Sequence, residues 1–232
     1  MTPHTAGAAI DPDPTLVPGI YEHCDQWCSY CPMTARCLAH RRLRARQAQN
    51  GPDAFSSLED VIEFTREVSR AEGRPTPELD ALLSPDPAVQ ASLPEIDDPL
   101  DDLASRYEFE TMRFLERRHW TPPVRPTPQP SSIDVVAWYH VLIQSRLARA
   151  LARSMEAARG RADRLVDANG CAQMVLIGID RSRAALGRLR GLCDDQRVAS
   201  LLDTLDRLGP AVEQRFPAAR AFIRPGLDGP IV

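Results

Sequence analysis

Apolar residues recur at helical spacing along most of this chain. Val61, Ile62, Thr65 and Val68 predict a helix over 57–73, opened by Ser57 with Asp60 at near-capping-box spacing and stopped by Gly73. Leu100, Leu103, Tyr107, Phe114 and Leu115 predict an amphipathic helix over 98–120. The stripe Ile133, Val136, Ala137, His140, Ile143, Leu147 and Leu151 marks the longest helix, capped by Ser132 and running to residue 166. Beyond Asn169-Gly170 the run MVLIGI shows no alternation and continues into RSRAALGRLRGL, so it reads as a buried helix rather than a strand. Val198, Leu201, Leu202 and Leu205 place a last helix over 194–208.

The interruptions are dominated by proline. Residues 74–99 read as a proline-rich loop with a brief helical turn at 78–83, and TPPVRPTPQP makes a semi-rigid extended connection. The chain therefore divides into an extended arm (1–20), a cysteine-rich metal-binding knuckle with a basic helix from Met33 to the stop at Asn50-Gly51-Pro52 (21–50), and a helical bundle with proline-rich connections (51–232). The tail RFPAARAFIRPGLDGPIV is expected to lie over that bundle. The fold class is all-α, a bundle of four to six helices.

Composition adds little to this picture. At 43% hydrophobic, 26% charged and net charge -4, the chain is ordinary for a globular protein, and its overall charge disfavours nucleic acid as a partner. Every basic residue apart from histidine is arginine, which suggests a GC-rich bacterial genome. The amino end has neither a basic start nor an apolar run, and no segment approaches the roughly 20 apolar residues that cross a bilayer. The expectation is a cytoplasmic protein without membrane contact.

Chemistry concentrates in CDQWCSYCPMTARC, where Cys24, Cys28, Cys31 and Cys37 follow C-x3-C-x2-C-x5-C. In a reducing compartment such clusters mean metal or redox chemistry more often than disulfides. Four thiolates at short intervals suit a [4Fe-4S] cluster, with Tyr21, Trp27 and Tyr30 placed to shield it. Pro32 follows Cys31 as in many ferredoxin-like cluster segments. A cluster with four protein ligands moves electrons or holds the fold, which implies a redox protein partner or a place within an oxidoreductase. Zinc is the rival: Cys28-x2-Cys31 with Cys37-x2-His40 supplies two ligand pairs and would make the chain a binding or adaptor module. Reduced thiols without metal are the third reading. The run HRRLRAR (40–46) is a solvated helix face or a docking surface, for an acidic electron-transfer partner or, if the knuckle holds zinc, for the phosphates of a nucleic acid. Cys171 and Cys193, set in helical patterns, read as small buried hydrophobes.

Two resemblances follow from these residues. The stretch C-x3-C-x-Y-C from Cys24 to Cys31 is similar to the cluster motif of radical S-adenosylmethionine enzymes, which implies an iron left open for a cofactor. Cys37 would close that iron, and the chain has no alternation of strands and helices to build the barrel of that family. With WYH at 138–140, GIDRS at 178–182 and RPGLD at 224–228, the whole chain resembles a set of uncharacterised bacterial proteins with a four-cysteine knuckle and a helical bundle, which implies a shared architecture.

A second metal site is conceivable inside the bundle. Glu116 and His119 have the Glu-x-x-His spacing that puts both ligands on one helical face, and His140 and Asp180, with Glu63, Glu67 or Glu110, would complete it. Asp180 falls three residues after Ile177, so its carboxylate is expected inside the bundle, paired with Arg146 or Arg183 if not with a metal. For His140 the plainer reading is a hydrogen-bonded core histidine.

Overall fold

The computed structural model describes residues 13–51, 54–74, 76, 84, 86, 96–123, 127–192 and 196–228. Expectations for the first part of the arm, for the turn at 78–83 and for Cys193 lie outside these residues. Among the described residues the regular structure is entirely helical. Six α-helices follow in order: α1 (Leu38–Asn50), α2 (Leu58–Ala71), α3 (Pro99–Arg117), α4 (Ser132–Ala158), α5 (Arg164–Arg190) and α6 (Gln196–Arg215). Among the described residues no helix is long and apolar enough to cross a membrane.

Contacts divide the chain into two compact units. One gathers Met1–Glu22, Cys31–Pro94 and Pro225–Val232; the other gathers His23–Tyr30 and Glu95–Arg224. In the first, α1 packs on α2, and Leu38, Val68 and Ala71 form a small apolar cluster. Arg74 ties this unit together by pairing with Glu22 and Glu72, both at 2.5 Å, and by donating to the Tyr21 hydroxyl at 2.7 Å.

The second unit is a bundle of α3 to α6. Asp98 caps α3, with Pro99 in its first turn, and Ser131 with Asp134 forms a capping box on α4. The box sits one residue earlier than the sequence suggests, at Ser131 rather than Ser132. Helices α4 and α5 are the principal packing pair. Their close approach depends on Gly178, where a Cβ would stand 2.9 Å from the side chain of Ile143 and 3.2 Å from that of Tyr139. Helix α3 packs on α4 and α6, and α5 packs on α6.

Three helix boundaries differ from the periodic reading. The stripe over 132–166 is two helices, because the chain turns after Ala158 with Gly160 at φ 97° and restarts at Arg164. Asn169-Gly170, which falls between the two helices read from the sequence, lies inside α5. There the glycine permits close approach rather than termination: a Cβ on Gly170 would meet the His23 ring at 2.5 Å and Phe222 at 2.8 Å. Finally, α6 continues through Pro210 to Arg215, held by the buried Leu208, Gly209 and Val212. Packing of that face outweighs the hydrogen bond lost at the proline.

Candidate metal centre

The division of contacts falls inside the knuckle. Cys24 and Cys28 belong to the bundle unit, Cys31 and Cys37 to the amino-terminal unit, and all four are half-buried. On the bundle side, Cys24 is followed by a tight turn in which the Gln26 N–H donates to Cys24 Sγ at 3.4 Å and the Cys28 N–H to the Gln26 carbonyl at 2.9 Å. Gln26 adopts φ 56°, a left-handed conformation that costs a non-glycine residue about 1–2 kcal/mol. Cys28 opens the 3-10 turn Cys28–Tyr30.

This turn is fastened to α4 and α5 at three points. Asp25 accepts from the Tyr139 hydroxyl and from Arg181, each at 2.7 Å, and Arg181 also contacts that hydroxyl. The Asp25 carbonyl accepts from Trp138 Nε1 at 2.8 Å, and the Cys24 carbonyl from Arg146 at 3.2 Å. Trp27 stacks on Trp138, their ring centroids 5.1 Å apart and their planes within 7°, and meets Tyr30 and Tyr139 edge-on. Burial pushes the Tyr139 phenol up, and the neighbouring Asp25 carboxylate pushes it further, so it stays a hydroxyl donor.

His23, one residue before Cys24, is seated over Gly170 with its ring edge-on to Phe222 at 4.9 Å. Ligand atoms of His23, Asp167 and Cys171 lie within 4.8 Å of one another, a grouping of metal-ligand types. Electrostatics argues against a cation there. Asp167 already accepts from Arg149 at 3.0 Å and from Arg153 at 2.9 Å. A dication would stand beside two guanidiniums, at a cost of several kcal/mol. Burial pushes Asp167 up, but the arginines more than offset it and hold the carboxyl below its usual range. The Cys171 thiol is pushed up to about 11 by burial. The trio is thus a matched polar cluster that seats His23, and Cys171 is the small buried residue its helical setting suggests.

In the amino-terminal unit, the Met33 N–H donates to Cys31 Sγ at 3.4 Å. Cys37 is the N-cap of α1, its sulfur accepting from the His40 N–H at 3.5 Å. The helix over Met33–Asn50 read from the sequence therefore starts later, after the 3-10 turn Thr34–Arg36. Burial pushes the Cys37 thiol up, the His40 and Ala39 N–H groups oppose it, and the nearby Cys31 adds to the rise. The basic run is partly spent within this unit: Arg41 pairs with Asp13 at 2.8 Å, and Arg46 donates to the Ala54 carbonyl at 3.1 Å and lies over the Phe55 ring.

The residues of the second candidate site are placed differently from the reading of their spacing. Helix α3 ends at Arg117, and His119 sits in the following turn at φ 50°, so Glu116 and His119 do not share a helical face; both are exposed. Asp180 points outward and pairs with Arg220 at 2.6 Å, not with Arg146 or Arg183. His140 is buried in α4, and its burial lowers its pKa, as a neutral core histidine requires. Among the described residues, Glu116, His119, His140 and Asp180 do not converge as a group of ligand atoms.

Sequence reasoning missed the residues that hold the Cys24 turn: His23, Asp25, Arg146 and Arg181. Their partners lie 113 or more positions away for Asp25 and 122 for Arg146, beyond any local pattern. The one available signal was adjacency, since His23 and Asp25 flank a cysteine already singled out. Comparison of this chain with models of protein families, with curated proteins and with solved structures finds no match.

Proposed function

We propose that the cysteine run 24–37 binds a [4Fe-4S] cluster on the thiolates of Cys24, Cys28, Cys31 and Cys37, and that the chain is a helical electron-transfer protein or oxidoreductase component. The observation that carries this reading is the aim of backbone N–H groups at the sulfurs of Cys24, Cys31 and Cys37. Such donors disperse thiolate charge, favour the deprotonated ligand and tune the cluster's potential. The donor set fits: four sulfurs in fourteen residues, with the Trp27 and Tyr30 rings beside Cys28 to limit water. When bound, the cluster would supply one-electron chemistry. The chain's own part is to hold the sulfurs, orient the N–H groups and keep the surroundings dry. Arg44, exposed on α1, is the residue of the basic run that would meet an acidic redox partner.

The test is metal and sulfide analysis of the full chain purified without oxygen. The expected result is about four irons and four sulfides per chain with visible thiolate-to-iron absorption, lost in Cys24→Ser and in Cys28→Ser. One zinc with no iron, retained in Cys24→Ser and lost in His40→Ala, overturns it in favour of a zinc-stabilised binding module.

A further inference from the structure

Three hydroxyls meet inside the bundle, out of reach of solvent. Tyr107 and Thr111 of α3 and Ser182 of α5 are each 0% exposed. The first two share a helical face, one turn apart. Helix α3 packs on α4 and α6, and α5 packs on the same two helices, so α3 and α5 stand opposite each other in the bundle. Burial pushes the Tyr107 phenol up to about 12, and the Ser182 and Thr111 hydroxyls are both close enough to oppose that rise.

Among the described residues, none of the three hydroxyl oxygens has a hydrogen-bond partner in place. Folded chains leave few buried polar groups in that condition, because each one forfeits the bonds it made to water in the unfolded chain. Opposite helices of a bundle stand farther apart than adjacent ones, and polar groups that face each other beyond direct reach are joined by an ordered water. Chemistry narrows the occupant further. Tyr107 stays a phenol at neutral pH, and serine and threonine carry no charge, so the three offer no anionic ligand to a metal ion. Hydroxyls both donate and accept, as water does, and three of them fall within the two to four partners that hold a buried water.

We propose that Ser182, with Tyr107 and Thr111, holds one buried water molecule that bridges α3 and α5 through the interior of the bundle. The site lies apart from the cysteine run and does not rest on the cluster reading. Magnetic relaxation dispersion of the water oxygen counts the molecules that stay in a protein long enough to tumble with it. Against the unaltered full chain, the triple variant Tyr107→Phe, Thr111→Val, Ser182→Ala is expected to lose one long-lived water per chain. These replacements keep the shape of each side chain and leave no polar atom behind, so the fold is retained. A crystal structure of the unaltered chain tests the same point without a variant. It is expected to show a water within about 2.5–3.0 Å of Ser182 Oγ and of at least one of Tyr107 Oη and Thr111 Oγ1. Equal counts of long-lived water in the two chains, or a crystal structure with no water bonded to both helices at these hydroxyls, overturns the proposal.

Discussion

Helices α1 and α5 are held in opposite ways. Helix α5 buries twelve of its residues, from Ala168 to Leu186, whereas α1 buries only Leu38. The order of α5 comes from packing. That of α1 comes from its ends and ties: the Cys37 cap, the Arg41–Asp13 pair and the Arg46 contacts with Ala54 and Phe55. Exposed pairs of this kind contribute about 0–1 kcal/mol each, against roughly 1.5–3 kcal/mol for each large apolar side chain buried in α5. A helix held so loosely beyond its first residue gains most from whatever fixes that residue. Cys37 is a candidate ligand, so the less packed of these two helices is also the one a metal would order.

The sharpest break of this contrast is a cavity in the bundle. Ile143 is fully buried in α4 and lies against Gly178 of α5. Ile143→Ala should lower stability by about 2–5 kcal/mol. Leu43→Ala in α1, where Leu43 is only partly buried, should cost less than about 1 kcal/mol. Urea unfolding followed by circular dichroism measures both, and equal losses would remove the distinction between the two helices.

A smaller effect is expected where the Cys24 turn meets α5. Gly170→Ala puts a methyl group 2.5 Å from the His23 ring, which must move. We expect a loss of about 1–3 kcal/mol, together with a change in the near-ultraviolet signal of the stacked Trp27 and Trp138. An unchanged signal and unchanged stability would show that His23 is not what seats this turn.

Gly170 also shows what the sequence could and could not tell. Helical periodicity revealed the all-helical class and the buried faces of α4 and α5, and cysteine spacing marked the Cys24–Cys37 run, because each depends on spacing along the chain. The break after Ala158 and the continuation through Gly170 and Pro210 were hidden, because a glycine reads alike as a stop and as a contact point until its partner is known. Asp180 failed for a related reason: three residues after the only partly buried Ile177 it lies at the edge of the buried face, and Arg220, forty positions later, pairs with it at the surface. The seat of the Cys24 turn was illegible for the same cause, since the Cys24 carbonyl and Arg146 meet only in the folded chain.

The smallest expected effect concerns acid, and it acts on both regions. In the unfolded chain an aspartate titrates near about 3.9. Asp167 is held below that by Arg149 and Arg153, so its contribution to the bundle is present at neutral pH, begins to fall below about pH 4 and is gone once the folded carboxyl is protonated. Asp13 behaves likewise on the α1 side: hydrogen bonds from Thr15, with help from Arg41, hold it at about 2, so its tie to α1 survives further into acid than an ordinary carboxylate would. Following both carboxyls by NMR from pH 6 to about pH 2 while unfolding the chain at each step tests the linkage. Stability that stays level as Asp167 protonates would mean that the arginine pair does not hold α4 to α5, and the burial in α5 would then account for that contact without help from charge.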